Sequence, residues 1–246
     1  MPSVDAKAVP REGRNVSIVH DQLRSEILAG NIPSGETSQA DLARRLDVGR
    51  TPLREAIRML QREGLVISEP NRRVRITDLS STDFEELYIM RIALEATAVR
   101  ITVPDLGPAG IAELEGLLAQ MDFYRRTEDF AGFRVPHRAF HEKLVSGAGE
   151  RMTTIATQLF DHGERYRVRF GSITSKVWAE RRAEHRAILD SAGEGDADAT
   201  VRTVIAHYGR TAALVFSGLG EDYDPRRLRV AVAAATADPE FAADIL

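Results

Sequence analysis

The chain has 246 residues, 43% of them hydrophobic and 28% charged, which suits one large or two modest folded domains and excludes a disordered or fibrous chain. It contains no cysteine, so disulfides, thiolate nucleophiles, zinc fingers and iron–sulfur clusters are excluded, and any metal must be held by His, Asp or Glu. The net charge of −4 is unevenly spread: residues 1–78 hold 13 Lys+Arg against 11 Asp+Glu, and residues 79–246 hold 20 against 26.

Residues 1–16 are polar and aperiodic and are expected to form a flexible arm. With no run of 18 apolar residues and no apolar segment near Met1, neither a membrane span nor a secretory signal is expected, and the cytoplasm is the expected location. From Ser17 to Ala29, Val19, Leu23 and Ile27 form one helical face, ended by Gly30 and the Pro33-Ser34-Gly35 cluster. Ser38 with Asp41 caps a short helix carrying Leu42, Ala43 and Leu46. Thr51 as cap and Pro52 in the first turn open a third helix with Leu53, Ala56, Ile57 and Leu60 inside, closed by Gly64. Residues 65–68 and 74–77, rich in β-branched side chains, read as a hairpin.

Beyond Asp78 only helical periods appear. Thr82 with Glu85 is expected to cap the first, which carries Phe84, Leu87, Leu94, Ala98 and Ile101 up to the break at Pro104–Pro108. Further runs cover Ile111–Met121, about 128–146 with Pro136 as a kink or fresh start, about 151–170, 175–191 and 196–218. The chain therefore reads as mainly α. A winged helix-turn-helix over 17–78 precedes an antiparallel bundle of six or seven helices over 79–220, and the tail, 221–246, adds at most a turn or two, loosely docked.

Arg50, Arg54, Arg58 and Arg62 recur every four residues, a stripe that drifts by about 40° per step on a helix and lies opposite the apolar set. Alone, such a stripe is equally well a solvated face. Followed by a hairpin with Asn71, Arg72, Arg73 and Arg75, it matches a helix that enters the DNA major groove beside a basic wing. Arginine can donate two hydrogen bonds to guanine, and Thr51 at the helix start can donate to phosphate. The run Val48-Gly49-Arg50-Thr51-Pro52-Leu53-Arg54-Glu55-Ala56-Ile57, continued by Leu60, Glu63-Gly64-Leu65-Val66 and Pro70-Asn71-Arg72, resembles the DNA-binding signature of GntR-family bacterial transcription regulators. The resemblance implies operator contacts from Arg50, Thr51 and Arg54. The chain departs from it at Arg73, where glycine is usual, and at Ala40, where some members have arginine.

Five of the six histidines lie in the second half, and His137 and His141 are one helical turn apart. Spacing alone leaves chelation and a hydrogen-bonded core pair both open. Phe140-His141, Glu184-His185 and His207 resemble the pattern of GntR regulators whose effector domain is an all-helical FCD domain, and His137 stands where that pattern usually has aspartate. The resemblance implies a divalent ion on His141, His185 and His207 with His137 as a fourth ligand, zinc by default and nickel or iron as alternatives. It also implies a small organic acid, with Arg91, Arg134 and Arg138 as candidate partners. For Arg91 the competing reading is a helix pair with Glu95.

The expected function is a homodimeric repressor that binds a double-stranded operator and is released by a carboxylate metabolite. Two alternatives compete with it. A hydrolytic metalloenzyme is disfavoured because the histidine pair reads His137-Arg138-Ala139-Phe140-His141, without HExxH, so no enzymatic activity is expected. The other is a DNA-binding dimer with core histidines and no effector.

Overall fold

The computed structural model describes residues 15–68, 73–170, 175–220 and 223–246. Most of the arm, together with Asn71 and Arg72, lies outside the described residues. The chain divides into two units, Met1–Leu79 and Ser80–Leu246, each with its own core.

In the first unit, α1 (Val16–Leu28), α2 (Gln39–Leu46) and α3 (Arg50–Arg62) surround a core in which Val19, Leu23 and Ile27 meet Leu53, Ile57 and Leu60. Each such side chain contributes about 1.5–3 kcal/mol by leaving water. Ser38 caps α2 by accepting from the Asp41 N–H. Helix α3 starts two residues earlier than the sequence suggests: Gly49, not Thr51, is its cap residue, and Pro52 still falls in the first turn, where a missing N–H costs nothing. The hairpin strands are β2 (Val66–Ser68) and β3 (Arg73–Ile76). A third strand, β1 (Gly35–Ser38), pairs antiparallel with β3, so the sheet order is β1-β3-β2. Gly-Glu-Thr-Ser has no apolar alternation, and only pairing with β3 makes it a strand.

In the second unit, α4 (Ser81–Thr102), α5 (Gly107–Arg126), α6 (Phe130–Val145), α7 (Glu150–Phe170), α8 (Ser175–Gly193) and α9 (Ala197–Leu219) form the bundle. Ser80 with Asp83 caps α4, two residues before the expected Thr82–Glu85 box. Helix α4 packs against α6, α7 and α9, so it is buried on most sides and carries Arg91 and Glu95 into the interior. Pro136 does not interrupt α6, which runs through it as one helix. The C-terminal residues are more ordered than expected. Helices α10 (Arg226–Thr236) and α11 (Pro239–Ile245) pack on one another, α10 also lies along α4, and Leu228 and Val232 are fully buried. Polar anchors reinforce the docking: Arg227 donates to Glu85 at 3.0 Å and Arg100 to the Ala235 carbonyl at 2.8 Å. No helix among the described residues is long and apolar enough to cross a membrane.

Candidate functional site

The arginine face of α3 is exposed from Arg50 to Arg62, whereas Leu53, Ala56, Ile57 and Leu60 are buried behind it. Arg50, Thr51 and Arg54 line one open groove with Ser38, Gln39 and Ala40 at the start of α2. Among the described residues neither Arg50 nor Arg54 has an ion-pair partner. Other basic candidates already hold carboxylates: Arg58 pairs with Glu55 at 2.6 Å, Arg73 with Glu36 at 2.9 Å across β1 and β3, and Arg75 with Asp78 at 3.5 Å. All three pairs are partly solvent-exposed, where ion pairs are weak and readily exchanged.

Four imidazoles converge inside the bundle. His137 and His141 come from α6, His185 from α8 and His207 from α9; all four are buried, and one ring nitrogen of each lies within 4.8 Å of the others. The hydrogen bonds at Nδ1 set the tautomers. His207 Nδ1 donates to Glu184 Oε2 at 2.6 Å, His185 Nδ1 to the Arg181 carbonyl at 2.8 Å, and His141 Nδ1 to the Tyr208 hydroxyl at 3.4 Å. Each of these rings therefore presents a bare Nε2 lone pair. His141 Nε2, His185 Nε2 and His137 Nδ1 are buried without a hydrogen-bond partner among the described residues. Burial holds all four rings neutral: with the other rings and nearby arginines adding to it, His137, His141 and His207 fall well below the ordinary value, while His185, whose bond to the Arg181 carbonyl partly offsets burial, is pulled down to about 4.

This donor set fits a divalent ion. Two metal–nitrogen bonds of about 2.1 Å span at most roughly 4.2 Å, so modest ring rotation would close the cluster, and an ion would satisfy the orphaned nitrogens. The ring of His137 faces the cluster, its centroid 4.9 Å from that of His141 and 5.2 Å from that of His185.

Arg91 sits beside the cluster. Both readings of it meet here, because its Nε donates to Glu95 at 2.8 Å while Nη2 is buried without a partner among the described residues. The guanidinium lies 4.3 Å from the centre of the Tyr208 ring, and Tyr208 in turn donates to Glu95. Burial opposes the Arg91 charge, but Glu95 and the tyrosines outweigh it and hold the group firmly protonated. Gly163 makes room, since a Cβ there would lie 3.1 Å from Arg91 Nη1. Arg138 is differently placed: it is held by Asp161 and Glu142, both at 2.9 Å, and its side chain is 43% exposed. Arg134 is half-buried and acts on Glu164.

The sequence reading missed Arg167 and Arg181. Arg167 donates to Glu164 at 2.6 Å, and Arg181 donates to the Thr211 hydroxyl, with Glu184 Oε2 3.9 Å away. Both lie close enough to depress the histidines. Their only signal in the sequence is a carboxylate three residues away, a spacing that exposed helix pairs share.

Residues 16–76 match the family "Bacterial regulatory proteins, gntR family", and residues 86–210 match the FCD domain. The HTH-type transcriptional regulator YdhC of Bacillus subtilis (strain 168) is 29% identical over 196 residues, covering 77% of this chain and 85% of that protein. The HTH-type transcriptional repressor GlaR of Escherichia coli (strain K12) is 27% identical over 151 residues, covering 59% of this chain and 69% of that one. In fold, the chain is similar to E. coli McbR/YncC with a TM-score of 0.72 at 19% identity, over 82% of this chain and 97% of the other.

Proposed function

Because the chain belongs to the GntR family of bacterial transcription regulators and carries an FCD effector domain, we propose that it is a homodimeric repressor whose hold on its operator is relieved by a small carboxylate bound at an ion in the bundle. The observation that carries the reading is the convergence of four buried, neutral imidazoles beside Arg91, whose guanidinium keeps one nitrogen unpartnered among the described residues. An ion there would act as a Lewis acid toward a carboxylate. His141, His185 and His207 would hold it, with His137 as fourth ligand. Zinc is the proposed ion, since imidazole nitrogen suits it and it can expand from four ligands to five to take the carboxylate; nickel or iron are the alternatives.

On the DNA side, Arg50 and Arg54 are proposed to read bases, Thr51 to bind phosphate at the helix start, and Arg58, Asn71, Arg72, Arg73 and Arg75 to follow the backbone. A single winged helix buries too little DNA for strong specificity, so two copies on a pseudo-palindromic site are proposed. Repression follows the printed name of the similar GlaR protein. The proposed lever is the start of α4. The Tyr166 hydroxyl accepts from the Ser80 N–H at 3.2 Å and donates to Asp83 at 2.5 Å, which ties α7 to the first turn of α4, the helix that also carries Arg91.

The effector must bind the free and DNA-bound states unequally, and a coupling of about 1–3 kcal/mol is typical. The test selects an operator from random DNA and then measures its affinity against a panel of hydroxy, keto and dicarboxylic acids with zinc-loaded and chelated protein. Release that requires both the ion and Arg91 is expected. A hit that survives chelation and Arg91→Ala alike would remove this site from the reading.

A further inference from the structure

A buried charge is costly unless matched, so the charges around the four rings limit what can join them. Four neutral imidazoles leave the full double charge of a divalent ion uncompensated. The buried carboxylates nearby are already engaged. Glu95 accepts from Arg91 and Tyr208, and Glu164 from Arg167. Glu184 accepts from His207 and Arg210 and lies near Arg181. Buried Arg91 and the largely covered Arg167 and Arg181, 19% and 13% exposed, thus face three buried glutamates, with half-exposed Arg210 also on Glu184, and among the described residues these glutamates leave no charge for the ion.

Two of those arginines are themselves incompletely matched. Among the described residues Arg91 Nη2 has no hydrogen-bond partner, and the carboxylate oxygen beside Arg181 is 3.9 Å away and already accepts from His207. For Arg181, burial outweighs the help from Glu184 and lowers its hold on the proton. Arg138 does not alter this balance, because Asp161 and Glu142 meet its charge.

We propose, building on the ion-and-carboxylate reading above, that this site takes a dianionic organic acid, a small dicarboxylate, and that His137 and Arg181 set this preference. A monocarboxylate would leave one positive charge buried. A second carboxylate removes it and gives Arg91 Nη2 an acceptor, or Arg181 a closer carboxylate than Glu184. His137 matters because a neutral ligand at this position leaves the ion one charge more positive than an acidic ligand would.

The test uses the zinc-loaded full-length chain, with zinc content measured beforehand and binding followed by titration calorimetry at neutral pH. Ligands are compared at equal carbon number: succinate with butyrate, malonate with propionate. The dicarboxylate of at least one pair is expected to bind at least about tenfold tighter. His137→Asp is expected to keep its zinc and shrink that ratio by about fivefold or more, because the carboxylate takes over half the ion's charge. Arg181→Gln, checked for folding by circular dichroism, is expected to weaken the dicarboxylate more than the monocarboxylate. Wild-type protein that holds zinc yet binds both members of each pair alike overturns this inference and leaves the ion site standing. An unchanged ratio in a folded, zinc-loaded His137→Asp protein also overturns it. Protein that takes up no zinc overturns the ion reading and this inference together.

Discussion

Helix α3 and the histidine cluster solve opposite problems with the same side chains. On α3 the arginines stand in water on one face, and Arg58 with Glu55 forms a one-turn pair whose side chains are 57% and 46% exposed. In the bundle, Arg91 with Glu95 forms a similar one-turn pair at 2.8 Å, with both side chains only 4% exposed. Water screens the first pair, so each partner can leave the other for a phosphate at little cost. The second pair cannot separate without leaving a bare charge in a medium of low polarizability. A DNA-reading face has to keep its charges exchangeable, and an internal ligand site has to hold its charges in fixed positions.

The widest test of that contrast is Glu95→Ala. It should destabilise the protein by about 3–5 kcal/mol, since Arg91 is left buried and Tyr208 loses its acceptor. Chemical denaturation measures the loss, and a change below roughly 1 kcal/mol would mean that water reaches this pair. Next comes His185→Ala. It should reduce bound zinc from about one per chain to near none and cost about 3–4 kcal/mol of folding stability at zinc concentrations 100–1,000 times the dissociation constant. Elemental analysis and thermal melts check it; unchanged zinc and melting temperature would favour histidines that serve only the core.

On the exposed side, Arg54→Ala should leave folding intact while costing about 1–3 kcal/mol of operator affinity and relaxing preference at one position per half-site. Arg75→Ala should instead weaken all sequences alike and flatten the salt dependence. Titration of wild-type and singly substituted operators separates the two, and equal loss on every sequence for Arg54→Ala would move that residue to the backbone set. The smallest effect belongs to Glu55→Ala, the exposed counterpart of Glu95→Ala. Stability should shift by less than about 0.5 kcal/mol, and a loss comparable to that of Glu95→Ala would erase the contrast between the two regions.

The same contrast explains which features were legible in the sequence. An exposed stripe opposite an apolar one is written in the i, i+4 spacing of a single helix, so Arg50, Arg54, Arg58 and the buried Leu53, Ile57 and Leu60 could be named from residue order alone. The order of the three N-terminal helices, the hairpin and the six bundle helices followed from periodicity and breakers in the same way. His141, His185 and His207 could be named as a set only through resemblance, because they come from three helices.

What tertiary structure alone decided is whatever depends on a partner far along the chain. Gly35–Ser38 is a strand because β3 lies beside it, and α10, with Leu228 and Val232 fully buried, docks because α4 lies along it. His137 joins the cluster because α6 continues through Pro136. Arg167 and Arg181 look in the sequence like ordinary members of surface helix pairs, and only packing turns them inward, where burial gives their charges consequence. Local spacing determines which face of a helix is apolar. Which charges on that helix lie away from water is determined by the neighbours that cover it.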